Sequence, residues 1–228
     1  MYVREGDRND IPYCADIGVR AFHDDALMKY IKPYKEQYPN IHRDHYLFQC
    51  RKLVQSGASL IVAIDADQDE NPQRERIVGF AVWTDTLRCA KSSHNPLVRA
   101  FEAVAMYLEG LYRENILIDK AMEKLNRDAF RRSIADNVFF DDIEDYWELE
   151  IMAVSPSHEC RGIGALLLQW GMRAASGDNT PIVVVATPAG ARLYARHGFT
   201  KLGSMDVGQI NDAWCAMVWR SHRAQSTS

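Results

Sequence analysis

Nothing in the chain of 228 residues reads as a membrane span, because no apolar run approaches the roughly 18 residues that crossing a bilayer requires. Cysteine is sparse: Cys14, Cys50, Cys89, Cys160 and Cys215 are five, odd in number and scattered without a C-x-x-C pair. That pattern argues against a disulfide framework or a zinc site, no metal is expected, and reduced intracellular thiols fit it. An excess of positive charge is also missing. The formal net charge of −4 argues against broad nucleic-acid binding and favours cationic partners. There is no internal repeat, low-complexity tract or domain linker. The opening MYVREGDRND is too polar for a signal peptide. What the chain does have is 47% hydrophobic residues, enough for one sizeable core. A single domain over residues 1–228, soluble and cytoplasmic, is therefore expected.

The stretch from Trp147 to Ala175 organises the rest. Glu148 to Val154 alternates in character and is bounded by Ser155 and Pro156, which predicts a strand ending in a turn. From Gly164 onward, Leu166, Leu167, Trp170 and Ala174 recur at helical spacing. Between strand and helix stand Arg161, Gly162, Ile163 and Gly164. Two glycines let the backbone approach a bound group and turn its N–H groups outward, at the positive end of the helix macrodipole. Such a loop is suited to an anion, most naturally a phosphate. It is not a Walker loop, since Ala165 and Leu166 stand where Lys and Ser or Thr would be needed. Nor is it a dinucleotide fingerprint, since Leu167 occupies the third small position. The alternative is a strand–turn–helix in which the glycines serve geometry alone.

Downstream residues bear on that choice. Val154-Ser155-Pro156, followed by Glu159-Cys160-Arg161-Gly162-Ile163-Gly164, resembles the central motif of the GNAT superfamily of acyl-CoA-dependent N-acetyltransferases, V-x-P and then Q/R-x-x-G-x-G/A. The family's second motif, a strand and a short helix ending in L-Y-x-x-x-G-F, is matched by Pro181 to Thr187 and then by Leu193-Tyr194 through Gly198-Phe199. The Trp170-Gly171 pair and the turn Thr187-Pro188-Ala189-Gly190 resemble a branch common in fungi. The strong part of the resemblance covers about residues 146–201. It implies an α/β fold: a mixed, mostly antiparallel twisted sheet of six to seven strands flanked by helices.

Elsewhere the pattern is compatible but generic. Met1 to Glu5 is expected as a strand, and residues from Asp10 to Phe22 as a helix with Ile11, Cys14, Ile17 and Ala21 on its apolar face. A loop with Phe22, His23, Asp24 and Asp25 and a Tyr- and Lys-rich connection lead to a second helix, His42 to Val54. Strands follow at Ser59 to Ile64 and Ile77 to Thr84, with terminal strands at Phe199 to Met205 and Ala213 to Arg220. Residues 86–145 exceed a minimal fold of this type and predict a helical insertion before the central strand. Leu97, Phe101, Val104, Leu108 and Leu111 form a clean stripe, read as internal core rather than a partner-binding face, and Leu117, Ala121, Leu125 and Ala129 a weaker one. The acids and phenylalanines of DNVFFDDIED, 136–145, fit a solvated loop, or one that attracts a cation.

The resemblance implies roles for particular residues. Acetyl-CoA is the implied cosubstrate, and a small-molecule primary amine such as a polyamine, amino acid or amino sugar the implied acceptor. Neither nucleic acid nor membrane is expected as a partner, and the chain is expected to be a monomer or homodimer. A primary ammonium, with a pKa near 10 like that of lysine, must lose a proton before it attacks, and a nearby carboxylate could take it. Glu148 stands where some family members carry this base, with Glu150 on the same strand face as second choice; the alternative is a paired or edge carboxylate. Tyr194 matches the general acid for the departing thiolate, unless it only packs the last helix. The backbone of Ala153 and Val154 would pair with pantetheine, and N–H groups of Glu159, Cys160, Arg161, Gly162, Ile163, Gly164 and Ala165 would hold the diphosphate, with Arg161 adding charge. Phe22, His23, Asp24 and Asp25 are implied contacts of the acceptor, against which stand a capping or surface histidine and solvated acids. Two departures are plain: Glu159 replaces the family's Gln or Arg, and Pro188 a frequent Asn. Two rivals remain: covalent catalysis by Cys160, near a helix N-terminus and beside Arg161, and a non-catalytic acyl-CoA-binding module.

Overall fold

The structure is a computed structural model, described over residues 1–65, 75–86, 120, 122–135 and 139–221. A sheet of seven strands forms its centre, in the order β1-β2-β3-β4-β5-β7-β6. These are β1 (Tyr2–Glu5), β2 (Ser59–Asp65), β3 (Arg76–Asp85), β4 (Trp147–Val154), β5 (Ile182–Ala186), β6 (Thr200–Val207) and β7 (Ile210–Trp219). Every neighbouring pair is antiparallel except β4 and β5. The expected mixed, mostly antiparallel sheet is therefore present, and its upper strand count is the observed one.

Helices cover both faces, so the central strands are apolar on both sides, as the compact IVAI run of β2 requires. On one face α1 (Ile11–Ala21) and α3 (Pro39–Gln55) press Ile11, Cys14, Ile17 and Tyr46 onto Leu60, Val62, Phe80 and Val82. On the other, α5 (Ile163–Asp178) and α6 (Pro188–Arg196) join Ile163, Leu167, Leu168 and Tyr194 to Ile61, Ala81 and Trp83. Between these helices in sequence come α2 (Ala26–Ile31) and α4 (Lys124–Ala135). Among the described residues no helix is long and apolar enough to cross a membrane.

Two sequence expectations change in detail. The Tyr- and Lys-rich connection holds a helix, α2, because Asp25 caps it: Met28 donates its N–H to Asp25 Oδ1 at 2.9 Å. Its Leu27 and Ile31 are buried against Val207. In the expected insertion, α4 begins at Lys124 and leaves Leu125 exposed (75%), so the weaker stripe does not mark its buried face. Phe130 packs inward instead, edge-on to Trp214. The stripe from Leu97 to Leu111 lies outside the described residues.

Helix α5 sits close to the sheet because Gly171 has no side chain. A Cβ there would come within 2.3 Å of Trp83 Cζ2. Gly171→Ala is therefore expected to destabilise by about 1–3 kcal/mol, as overpacking does. Gly177→Ala, where a Cβ meets nothing within 4 Å, is expected to stabilise by up to about 1 kcal/mol through helix propensity. Urea unfolding of the two variants checks both signs.

Candidate active site

The site opens where two strands part. β4 pairs with β5 at two positions, Trp147 with Ile182 and Glu148 with Val183. On its other edge β4 stays paired with β3 as far as Val154. From Leu149 onward the edge facing β5 is therefore an unpaired row of backbone groups, which must find partners elsewhere. A cavity of about 1960 Å³ fills the gap and reaches Glu148, Tyr194 and Gly162. That exceeds the ~300–1,000 Å³ of an ordinary small-ligand site, leaving room for a long ligand and a second one.

At one end lies the glycine loop. Pro156–His158 form a single 3-10 turn, and Gly162, at φ 80°, is the N-cap of α5. Cys160 also has a left-handed φ, 58°. Leu166 is the first residue to bond back, to the carbonyl of Gly162 at 3.1 Å. Gly162 has no side chain to cap the helix, so the first turn presents N–H groups at the positive end of the dipole. Gly164 permits close packing of α6: a Cβ there would stand 3.0 Å from Leu193 Cδ2. Glu159, Cys160, Gly162, Ile163, Gly164 and Ala165 border the cavity, as do Ala153 and Val154. Arg161 is turned toward Asp65, its Nη1 4.0 Å from Oδ2.

Sequence reasoning missed what braces this loop. His158 is buried at 5% exposure, with Nε2 3.3 Å from Asp65 Oδ2 and Nδ1 2.8 Å from Ser157 Oγ. Asp65 ends β2, remote in sequence, and no spacing rule joins it to His158. With both ring nitrogens engaged, His158 is not available to activate Cys160, the neighbour that a covalent mechanism would use.

Carboxylates mark the middle of the cavity. Glu148 and Glu150 both border it. Trp83 aligns with Leu149 and Val82 with Ile151, so Glu150 is left without a cross-strand partner at an irregularity. Its Oε1 accepts from Thr84 Oγ1 at 2.9 Å, and Thr84 is the cross-strand partner of Glu148, so both carboxyls lie on one side. Burial, and then the Glu150 charge, push the Glu148 carboxyl up to about 7. Burial also raises Glu150, while the Thr84 hydrogen bond and Lys52 pull the other way.

Tyr194 reaches the cavity from α6 and is buried at 5% exposure. Its ring packs on Phe199, centroids 5.5 Å apart, and over Gly190, where a Cβ would meet Cε2 at 3.1 Å. Burial raises the phenol above its ordinary value, so it stays protonated at neutral pH. Pro188 is accommodated at the first turn of α6, where its missing N–H is no loss, and Thr187 Oγ1 caps Gly190 N–H at 3.1 Å.

The loop after α1 divides. Phe22, Asp24 and Asp25 border the cavity. His23 does not: its ring nitrogens face Asp24 at 3.3 Å and Glu36 at 2.7 Å. Asp24 is also paired to Lys29 at 2.7 Å. Phe139 and Phe140 line the cavity, while Asp141, Asp142, Glu144 and Asp145 are exposed, so the described acids of that segment are solvated. Among the described residues no cluster of three or more His, Cys, Asp or Glu side chains could hold a metal.

This geometry has known counterparts. Residues 130–201 match the family model of the acetyltransferase (GNAT) domain. A protein named acetyltransferase from Stachybotrys chartarum is 23% identical over 211 residues, covering 89% of this chain and 82% of its own. The crystal structure of histone acetyltransferase HPA2 and related acetyltransferase from Corynebacterium glutamicum superposes with a TM-score of 0.60 at 20% identity, covering 95% of this chain and 94% of that one. That of a GNAT superfamily phosphinothricin acetyltransferase from Sinorhizobium meliloti, in complex with AcCoA, gives 0.52 at 14% identity over 99% of this chain and 91% of that one. The matched segment runs from α4 into β6 and holds the parted strands, the glycine loop and Tyr194, so this part of the chain is similar to the GNAT acetyltransferase domain and the whole shares its fold.

Proposed function

We propose that the protein transfers an acetyl group from acetyl-CoA to a primary amine of a small molecule by direct attack. One observation carries this reading: a single cavity joins a helix N-terminus suited to phosphate with a carboxylate poised near neutrality. The free edge of β4 at Ala153 and Val154 would pair with the amides of pantetheine. The N–H groups from Glu159 to Ala165 would hold the diphosphate, and Arg161 would add a charge-assisted contact. That the phosphinothricin acetyltransferase of the same fold holds AcCoA supports this choice of ligand.

The amine arrives as an ammonium. Glu148 takes one proton, directly or through water, and the freed nitrogen attacks the thioester carbonyl carbon. The C–S bond then breaks as the nitrogen gives up its second proton, which ends on the departing sulfur so that the products are the amide and CoA thiol. Tyr194 supplies the O–H that meets the departing sulfur; since burial makes this phenol a weaker acid, it acts first as a hydrogen-bond donor to the developing thiolate. Glu150 tunes Glu148 by its charge and is the second candidate for the base. Phe22, Asp24 and Asp25 face the acceptor, while His23 supports their turn.

Three outcomes test this. Calorimetric titration with acetyl-CoA should show micromolar binding, and Gly162→Asp, which sets a carboxylate against the diphosphate, should weaken it at least tenfold, about 1.4 kcal/mol; no binding to the folded wild type refutes the reading. For Glu148, kcat/KM should rise with pH through about 7 as the base loses its proton, and Glu148→Gln should lose that limb and about 10²–10⁴ in rate. The sign for stability is opposite. The folded carboxyl holds its proton from the ordinary value of 4.5 up to about 7, so stability falls with rising pH across that window. Glu148→Gln should therefore unfold at a higher temperature than wild type at pH 8. Finally, Asp65→Ala, which frees His158 and Arg161, should raise the KM for acetyl-CoA about tenfold with kcat little changed, as expected for loss of an outer positioning contact.

A further inference from the structure

The acceptor end of the cavity has a distinct chemistry. Along β7, Cys215, Met217 and Trp219 pack into the core beneath α5 and α6. Trp214, of opposite parity, projects to the other face and packs with α2 and α4. Trp147 and Leu149 pack beneath α5 and α6, so Glu148 between them faces the other side, and Glu150 joins it there through the Thr84 hydroxyl. The glycine loop and the carboxylates thus approach the gap between β4 and β5 from opposite sides of the sheet.

On the carboxylate side the cavity is bordered by two aromatic pairs. Phe22 stacks on Tyr46 with centroids 6.1 Å apart and planes 7° apart. Phe130 meets Trp214 edge-on at 5.8 Å and 84°, and Met28 packs into the same cluster. Of the acids at this end, Asp25 caps α2, Asp24 is paired with Lys29 and His23, and Asp44 of α3 also borders the cavity. Lys32, Lys52 and Arg127 also border the cavity. One ammonium is served by Glu148 and Glu150. The rest of that molecule would meet rings and a thioether, which suit an apolar body better than a second charge or the hydroxyls of a sugar.

We infer that the acceptor is a primary monoamine carrying an apolar, ring-sized body, which the Phe22–Tyr46 and Phe130–Trp214 pairs enclose while its nitrogen sits at Glu148. This rests on the amine-acetylating function proposed above. The rings also favour the ammonium itself as it enters, through cation–π attraction. The polyamine and amino sugar expected from sequence resemblance are the alternatives it displaces.

Release of free CoA thiol by the full chain, with saturating acetyl-CoA, separates them. The amines are 2-phenylethylamine, putrescine, spermidine and glucosamine. The expected result is a kcat/KM for 2-phenylethylamine about tenfold or more above each of the others, the scale on which burial of an apolar group discriminates. A preference for putrescine, spermidine or glucosamine overturns the inference and leaves acetyl transfer standing. Turnover of none of them, with acetyl-CoA bound, overturns the inference together with the function beneath it. Phe22→Ala should raise the KM for 2-phenylethylamine about tenfold and leave that for acetyl-CoA unchanged. Phe130→Leu, which keeps an apolar side chain in its cluster, should raise it about threefold by the same route. An unchanged amine KM in both folded variants also overturns the inference.

Discussion

Everything in the site depends on the parting of β4 and β5. The sheet is continuous on either side, with β3 bound along β4 to Val154 and β5 bound along its length to β7. Only between β4 and β5 does pairing stop after two residues. A sheet that abandons backbone hydrogen bonds in its middle forgoes the interactions that normally satisfy those groups. The loss is tolerable because the unpaired edge faces a cavity rather than apolar core, so water or a ligand can complete the ladder. An extended ligand with amides of its own is the natural substitute for the missing strand. The same opening explains why α5 and α6 crowd its rim: with β4 and β5 apart, Gly164 against Leu193 brings the two helices together above the gap.

Charge is then distributed by sheet face. The α5 N-terminus offers positive potential on one side, while Glu148 and Glu150 supply negative potential on the other. A ligand with a phosphate tail and a partner with a cationic head would be oriented before any chemistry began. Burial and mutual repulsion hold Glu148 near neutrality, a value that suits a base and works against the stability of the fold.

Much of this was legible in the chain. Arg161 to Gly164 marked a tight strand–helix junction because two glycines stand between an alternating run and a helical one, and the alternation from Glu148 to Val154 put two carboxylates on one face. Strand ends fell within a few residues of those observed, apart from the start of β7. What could not be read was set by contacts between remote segments. Helix α2 carries only two buried positions, Leu27 and Ile31, whose partner Val207 lies near the other end of the chain. Leu125 looked like core and is exposed, since spacing gives a face but not which neighbour will cover it. The irregularity at Glu150 was equally hidden, because it arises from the register with β3. Of the two departures from the motif, Pro188 starts a helix and Glu159 is exposed on the cavity rim.

The loop also shows where the cost of binding was placed. Cys160 holds a left-handed backbone without being glycine, which costs on the order of 1 kcal/mol or more. Such a conformation persists only where the surroundings over-determine it. Here the surroundings are on both sides in sequence: His158 is buried against Asp65, and Arg161 reaches the same carboxylate. A single aspartate at the end of β2 thus ties both flanks of the strained residue to the sheet. The ordering of the loop is thereby met during folding, so on the proposed function a diphosphate at the α5 N-terminus would not have to organise it. A loop held this way binds through preorganisation rather than through additional contacts.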